Sequence, residues 1–163
     1  MNEVYLCLGG NIGNREEYLS RAKELIALKV GVIVAESSIY ETQAWGVNEQ
    51  REYLNQVIKI TTELQPQSLI EELLNIELAL GRQRKDKQWA ARTIDIDILF
   101  YDTICLQEEN LTIPHPSLHL RNFVLIPLNE IAPELIHPFL KLSIKQLLTI
   151  CPDTGVVVKK LES

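Results

Sequence analysis

Cysteine is scarce. The 163-residue chain has three, Cys7, Cys105 and Cys151, an odd number with no C-x-x-C spacing. That excludes a disulfide scaffold and a thiolate zinc cluster, and it suits buried thiols in a reducing compartment. The three histidines form no His/Cys cluster with zinc spacing either. Long apolar runs are missing. No stretch approaches the roughly 18 to 20 residues that cross a bilayer, and the opening apolar segment 4–8 is broken by Gly9-Gly10 with no basic leader before it. A soluble, cytoplasmic protein without a signal peptide is therefore expected. Basic residues are outnumbered, 16 Lys and Arg against 22 Asp and Glu, and the net charge of -6 disfavours long nucleic acid or an anionic membrane as partner. Gly and Pro, seven each, are scattered, with no low-complexity tract and no internal repeat, which removes fibres and solenoids. Neither a P-loop G-x-x-x-x-G-K-S/T nor a protein-kinase G-x-G-x-x-G occurs.

What is there reads as an ordinary globular chain, 46% hydrophobic and 23% charged, long enough to bury a core as one domain over 1–163. Segment 4–8 alternates Val4, Leu6 and Leu8 with Tyr5 and Cys7 and predicts a strand ending in a Gly-rich turn. Asn14 with Glu17 three residues on predicts a capped helix over 15–28. Two β-prone runs follow, 30–40 and 53–62, separated by a loop over 41–52 that carries Trp45-Gly46. Pro66 and Ser68-x-x-Glu71 announce a second helix with the apolar stripe Leu69, Leu73, Ile76 and Leu80, stopped by Gly81. Segment 93–101 is a strong strand, Ile94, Ile96 and Ile98 on one face and Asp95 and Asp97 on the other. The order β-α-β-β-α-β predicts an α+β, ferredoxin-like antiparallel sheet with its helices on one face and the other face free for a site. A C-terminal extension should add a hairpin near 104–113 and short helices near 122–130 and 143–150.

Charge is unevenly placed. Residues 82–92 hold Arg82, Arg84, Lys85, Lys87 and Arg92 against one acidic residue, a local +4, which leaves -10 on the remainder. A solvated loop is one reading. An anion site on an acidic protein is the other, with the loop long enough to act as a lid and Trp89 as an apolar patch that docks on closure. Asp95 and Asp97, at i and i+2 on a strand, project to one side and suit a hard divalent cation, although an isolated Asp-x-Asp is usually two solvated carboxylates. Their position directly after the basic loop favours a site for Mg2+ with a polyphosphate. The Gly9-Gly10-Asn11 turn offers backbone N-H groups to an anion or room for a close approach. His115 stands between Pro114 and Pro116, either a surface turn or an imidazole aimed at a phosphate or adenine, whereas His119 and His137 suggest no role. Tyr53 and Asn55 share strand parity, as in any half-buried strand, or to hold a flat heterocycle.

Taken together, several segments carry a resemblance. They are Leu8-Gly9-Gly10-Asn11, Tyr53-Leu54-Asn55, Ile76-Glu77 with Gly81-Arg82-Gln83-Arg84, Trp89, Arg92-Thr93-Ile94-Asp95-Ile96-Asp97-Ile98, Leu111-Thr112-Ile113-Pro114-His115-Pro116 and Arg121-x-Phe123. In order and spacing the chain resembles the 6-hydroxymethyl-7,8-dihydropterin pyrophosphokinase family of folate biosynthesis over nearly its whole length. The resemblance implies transfer of the β,γ-diphosphate of ATP to the pterin's hydroxymethyl oxygen with release of AMP. It implies two Mg2+ on Asp95 and Asp97, a catalytic set of Arg82, Arg92 and Asp97, and ATP contacts at Glu77, Arg84, Ile98, Thr112, His115 and Arg121. It further implies pterin contacts at Thr42, Tyr53, Asn55, Trp89 and Phe123, and a monomer whose partners are the small molecules ATP and pterin. Gly10, Leu74, Ala91 and Asn110 depart from the family's common pattern, none of them at the metal pair. Two other classes stay open at this point, a palm-like two-metal nucleotidyltransferase and a non-catalytic nucleotide-binding module.

Overall fold

The computed structural model describes residues 1–42, 53–81 and 94–160. Strand β1 (Asn2–Gly10) runs down the middle of the main sheet with β5 (Asp95–Tyr101) on one side and β4 (Tyr53–Thr62) on the other, both antiparallel to it. β4 pairs along its length with β2 (Gly31–Glu36) and then β3 (Tyr40–Thr42), and β3 carries β8 (Val157–Lys159) on its far edge. Helices α1 (Arg15–Lys29) and α2 (Pro66–Ala79) provide the crossovers, which completes the expected ferredoxin-like β-α-β-β-α-β order.

Local chemistry explains most boundaries. Asn14 caps α1 by accepting the Glu17 N-H at 3.1 Å, and Leu19, Ala22 and Ile26 bury its inner stripe. α2 begins at the expected Pro66. Pro66 occupies its first turn after Gln65, so Ser68 and Glu71 lie inside the helix and form no capping box. Gly81, with φ at 106°, takes the left-handed turn just past the helix end. The expected strand over 30–40 is split in two, because Ser37 diverts the ladder: its hydroxyl accepts the Val57 N-H at 3.0 Å while its carbonyl accepts the Gln56 side chain at 2.7 Å.

The free sheet face is the larger correction. Val4, Leu6, Leu8, Ile58, Ile60, Ile96 and Ile98 pack against α1 and α2, as the strand parity requires. On the opposite face Tyr5, Cys7, Val57, Leu99 and Phe100 are also buried, under α3 (Asn122–Ile131) and α4 (Ile144–Ile150). A bulge makes this possible. Register slips between Tyr5 and Leu6 of β1, so that Leu99 and Phe100, neighbours in sequence, both belong to the second core. Around Asp95 and Asp97 that face is less covered, Asp97 being exposed and Asp95 half-buried. The hairpin β6 (Leu106–Glu108) and β7 (Leu111–Ile113) forms as expected and leads through a cis Ile113–Pro114 bond to the His115 segment.

Candidate active site

Four strands present one row of residues at this less covered end of the sheet. Asp95 pairs with Gly9, Gly9 with Asn55, and Asn55 with Tyr40; one step along, Asp97 pairs with Cys7 and Tyr53 with Thr42. All lie on the face that α3 only partly covers. Gly9 is needed there. A Cβ at that position would stand 2.5 Å from Asn55 Oδ1, so the missing side chain is what lets the Asn55 amide lie across β1. Its Nδ2 then donates to Thr42 Oγ1 at 3.4 Å. The Gly-rich segment is thus strand up to Gly10, with the bend following at 12–14, and its first glycine makes room for a side chain.

Above this row a cavity of about 170 Å³ is lined by Tyr53, Asn55, Asp95, Asp97 and Cys7 from the sheet, with His115, Arg121 and Phe123 from the segments beyond it. Asp97 is exposed and Asp95 half-buried. The Arg121 guanidinium lies 5.7 Å from the Phe123 ring centre, within range for a cation-π contact. Below the aspartates, the buried Glu77 carboxylate of α2 accepts the Ile96 N-H at 2.7 Å and ties the end of that helix to β5.

The electrostatics follow from this crowding. Burial first, then the Asp97 carboxylate, push the Cys7 thiol far up, with Arg121 pulling the other way, so the floor of the cavity is a neutral thiol. Burial holds the His115 imidazole below its ordinary value, Asp97 opposing and Arg121 reinforcing. His115 Nδ1 accepts the Ser117 N-H at 3.1 Å, which leaves Nε2 to carry the proton of the neutral ring.

Of the residues expected from the sequence, Tyr53, Asn55, Asp95, Asp97, His115, Arg121 and Phe123 share this cavity, and Thr42 adjoins it through Asn55. The Ile98 side chain points away, 4% exposed in the helix-side core. Thr112 lines a second cavity of about 490 Å³, which lies between the hairpin and the 137–140 segment and meets the first at His115. The second is larger but contains neither aspartate. Arg82, Arg84, Trp89 and Arg92 lie outside the described residues. Cys7, Leu99 and Val124 also line the first cavity and were not anticipated. The parity of Cys7 with Gly9 was its only signal.

Residues 5–133 match the model of the 7,8-dihydro-6-hydroxymethylpterin-pyrophosphokinase (HPPK) family. The chain belongs to this family. A 2-amino-4-hydroxy-6-hydroxymethyldihydropteridine pyrophosphokinase of Methylorubrum extorquens is 44% identical over 137 residues, 83% of this chain and 86% of the relative. That of Aquifex aeolicus is 40% identical over 148 residues, 90% of each chain. Among solved structures, wild-type Plasmodium falciparum HPPK-DHPS with pteroate superposes with a TM-score of 0.76 at 18% identity, covering 91% of this chain and 44% of that longer one. That likeness bears on the fold, and it agrees with the ferredoxin-like HPPK arrangement. The HPPK chain is an enzyme of the pyrophosphokinase class, and none of its described helices is long and apolar enough to cross a membrane.

Proposed function

We propose that the chain transfers the β,γ-diphosphate of ATP to the hydroxymethyl oxygen of 6-hydroxymethyl-7,8-dihydropterin, at the cavity between β5 and α3. The observation that carries this reading is the meeting of two carboxylates, Asp95 and Asp97, with the heterocycle-binding set Tyr53, Asn55 and Phe123 in one cavity. In the reaction the hydroxymethyl oxygen forms a bond to the β-phosphorus and the bond from that phosphorus to the α,β-bridging oxygen breaks. AMP leaves with the bridging oxygen, and the hydroxyl proton is lost to a base.

The residues divide the work. Tyr53 and Phe123 face the pterin ring and Asn55 with Thr42 reads its polar edge, holding the hydroxymethyl group toward the aspartates. Arg121 and the Nε2 proton of His115 meet phosphate oxygens, and a nucleoside reaching Thr112 extends toward the hairpin. Ile98, with its side chain buried, is left its backbone for any nucleotide contact. Arg82 and Arg92 supply positive charge during transfer, with Arg84 on the ATP side and Trp89 closing over the pterin. Asp95 and Asp97 fit Mg2+: both are hard oxygen donors on one strand face and line the same cavity. A cation that takes one or two carboxylates and completes its shell from phosphate and water matches that donor set. When bound, Mg2+ neutralises the triphosphate and orients it for in-line attack. In this reading the chain works as a cytoplasmic monomer on two small molecules.

Phosphorus NMR with product chromatography, on enzyme mixed with ATP, Mg2+ and the pterin, tests the proposal. AMP and a diphosphorylated pterin should appear together, and only with all components present. Asp97→Ala should lower turnover by about 10²- to 10³-fold, the scale of losing one preorganised electrostatic partner, with an unchanged circular dichroism spectrum. Intact ATP would favour a binding module, and released pyrophosphate a nucleotidyltransferase.

A further inference from the structure

The family match ends at residue 133, yet the chain beyond it reaches back to one wall of the cavity and to the strand that backs the other. One wall is the first turn of α3, which presents Phe123. Arg121 at the helix start makes no side-chain capping bond. Asp153 takes that place instead: its Oδ2 accepts the Asn122 N-H at 3.1 Å and its Oδ1 accepts the Gly155 N-H at 2.8 Å. The Asn122 side chain answers by donating to the Asp153 carbonyl at 3.3 Å and the Gly155 carbonyl at 2.8 Å. A carboxylate at the start of a helix also meets the positive end of its dipole.

The other wall is Tyr53 and Asn55 of β4, which β3 backs through Thr42. Two residues after Gly155, β8 begins and pairs with β3, Val157 opposite Thr42 and Lys159 opposite Tyr40, and the Lys160 N-H extends the ladder to the Ile39 carbonyl. At the far end of α3 the exposed Glu130 accepts the Ser38 N-H at 3.0 Å, the Ser38 hydroxyl at 2.9 Å and the Tyr40 hydroxyl at 2.8 Å. Chain and contacts form a closed circuit from β3 through β8 and Asp153 to α3, and through Glu130 back to β3. Phe123 and Thr42 both sit on it.

We propose that residues 153–159 are a strap that sets the spacing between Phe123 and the Thr42–Asn55 side of the cavity, with Asp153 as its positioning residue. The proposal rests on the reading of this cavity as the pterin pocket. It separates position from stability, because α3 is held in the molecule by Val124, Leu125 and Leu128 in the second core, whereas the Asp153 bonds go to Asn122 and Gly155. Loss of the Asp153 bonds leaves that packing intact and loosens the first turn alone.

Steady-state kinetics on the full chain, with amide hydrogen exchange beside it, decides the matter. Asp153→Ala and Asn122→Ala should each raise the KM for pterin by about five- to tenfold, the scale of one ordinary hydrogen bond, with a smaller rise in the KM for ATP through the neighbouring Arg121 and a Tm near wild type. Asp153→Asn, which keeps an acceptor oxygen, should restore part of the loss. Exchange should quicken at amides 122–125 and 157–159 in both alanine variants. An unchanged pterin KM, or a rise in both KM values that follows a fall in Tm, would overturn the strap. If the wild type makes no diphosphorylated pterin, the pocket reading fails on its own; exchange rates unaltered by Asp153→Ala would then dispose of the strap independently.

Discussion

Asn55 depends on a residue that has no side chain. The Cβ that Gly9 lacks would lie 2.5 Å from Asn55 Oδ1, closer than a packed carbon tolerates, and 3.3 Å from the Leu54 carbonyl, a tight contact that a small shift relieves. Gly9→Ala should therefore push the Asn55 amide off β1 and away from Thr42, while adding little strain elsewhere, since the Asn55 side chain is the part able to yield. The expected result is a pterin KM raised by about tenfold, on the scale of a lost specificity hydrogen bond, with ATP affinity within about twofold. Isothermal titration with each substrate separately checks this, and equal weakening of both would contradict it. The aspartate pair and the Tyr53/Asn55 parity were legible in the sequence, because residues two apart on a strand must share a face. The service Gly9 renders was not, because it requires knowing that β1 and β4 pair with Gly9 opposite Asn55.

At the level of elements, α3 is joined to β3 by charge as well as packing. Burial acts to raise the Glu130 carboxyl, but the Ser38 N-H, the Tyr40 and Ser38 hydroxyls and the nearby Lys159 outweigh it and hold it below its ordinary value. Burial and the same carboxylate push the Tyr40 phenol up to about 12 from its ordinary 10.0. The sign follows for each group. A depressed carboxyl stabilises the fold fully above its ordinary value of 4.5 and less as pH falls through the folded value. A raised phenol contributes fully below 10.0 and less as pH rises through about 12. Glu130→Gln should lower stability at pH 7 by roughly 1 kcal/mol or less, since Glu130 is exposed and solvent screens it. The gap from wild type should close in acid, and Tyr40 should ionise at lower pH. Urea unfolding across pH and absorbance near 295 nm read the two effects; a gap that persists in acid would assign the loss to shape. Helices α1 and α2 were legible from Asn14, Pro66 and apolar spacing, and α3 and α4 as short helices of the extension. β8 was not, because three residues with two exposed carry no period, and the covering of the second sheet face was missed because the bulge at Leu99 doubles the apolar residues on it.

Over the whole molecule the net charge of -6 opposes an incoming polyanion, and the two site carboxylates sharpen that opposition where the phosphates must lie. The local +4 of residues 82–92 relieves part of it, and a divalent cation on Asp95 and Asp97 would reverse it at the point of contact. Ligand binding to the folded state alone stabilises it by mass action, about 2.7 kcal/mol at a hundredfold excess over Kd, and in a chain of this size each kcal/mol raises Tm by about 2 to 4 °C. ATP with Mg2+ at that excess should raise Tm by roughly 5 to 10 °C. ATP with a chelator should raise it much less, because without the cation the Asp95 and Asp97 carboxylates repel the triphosphate. The contrast between those two conditions should shrink in the Asp95→Asn/Asp97→Asn double variant, which removes both the repulsion and the cation site. Differential scanning calorimetry on the four combinations separates the contributions: a chelator-insensitive shift in the wild type would place the cation elsewhere, and an undiminished contrast in the double variant would remove these aspartates from its coordination.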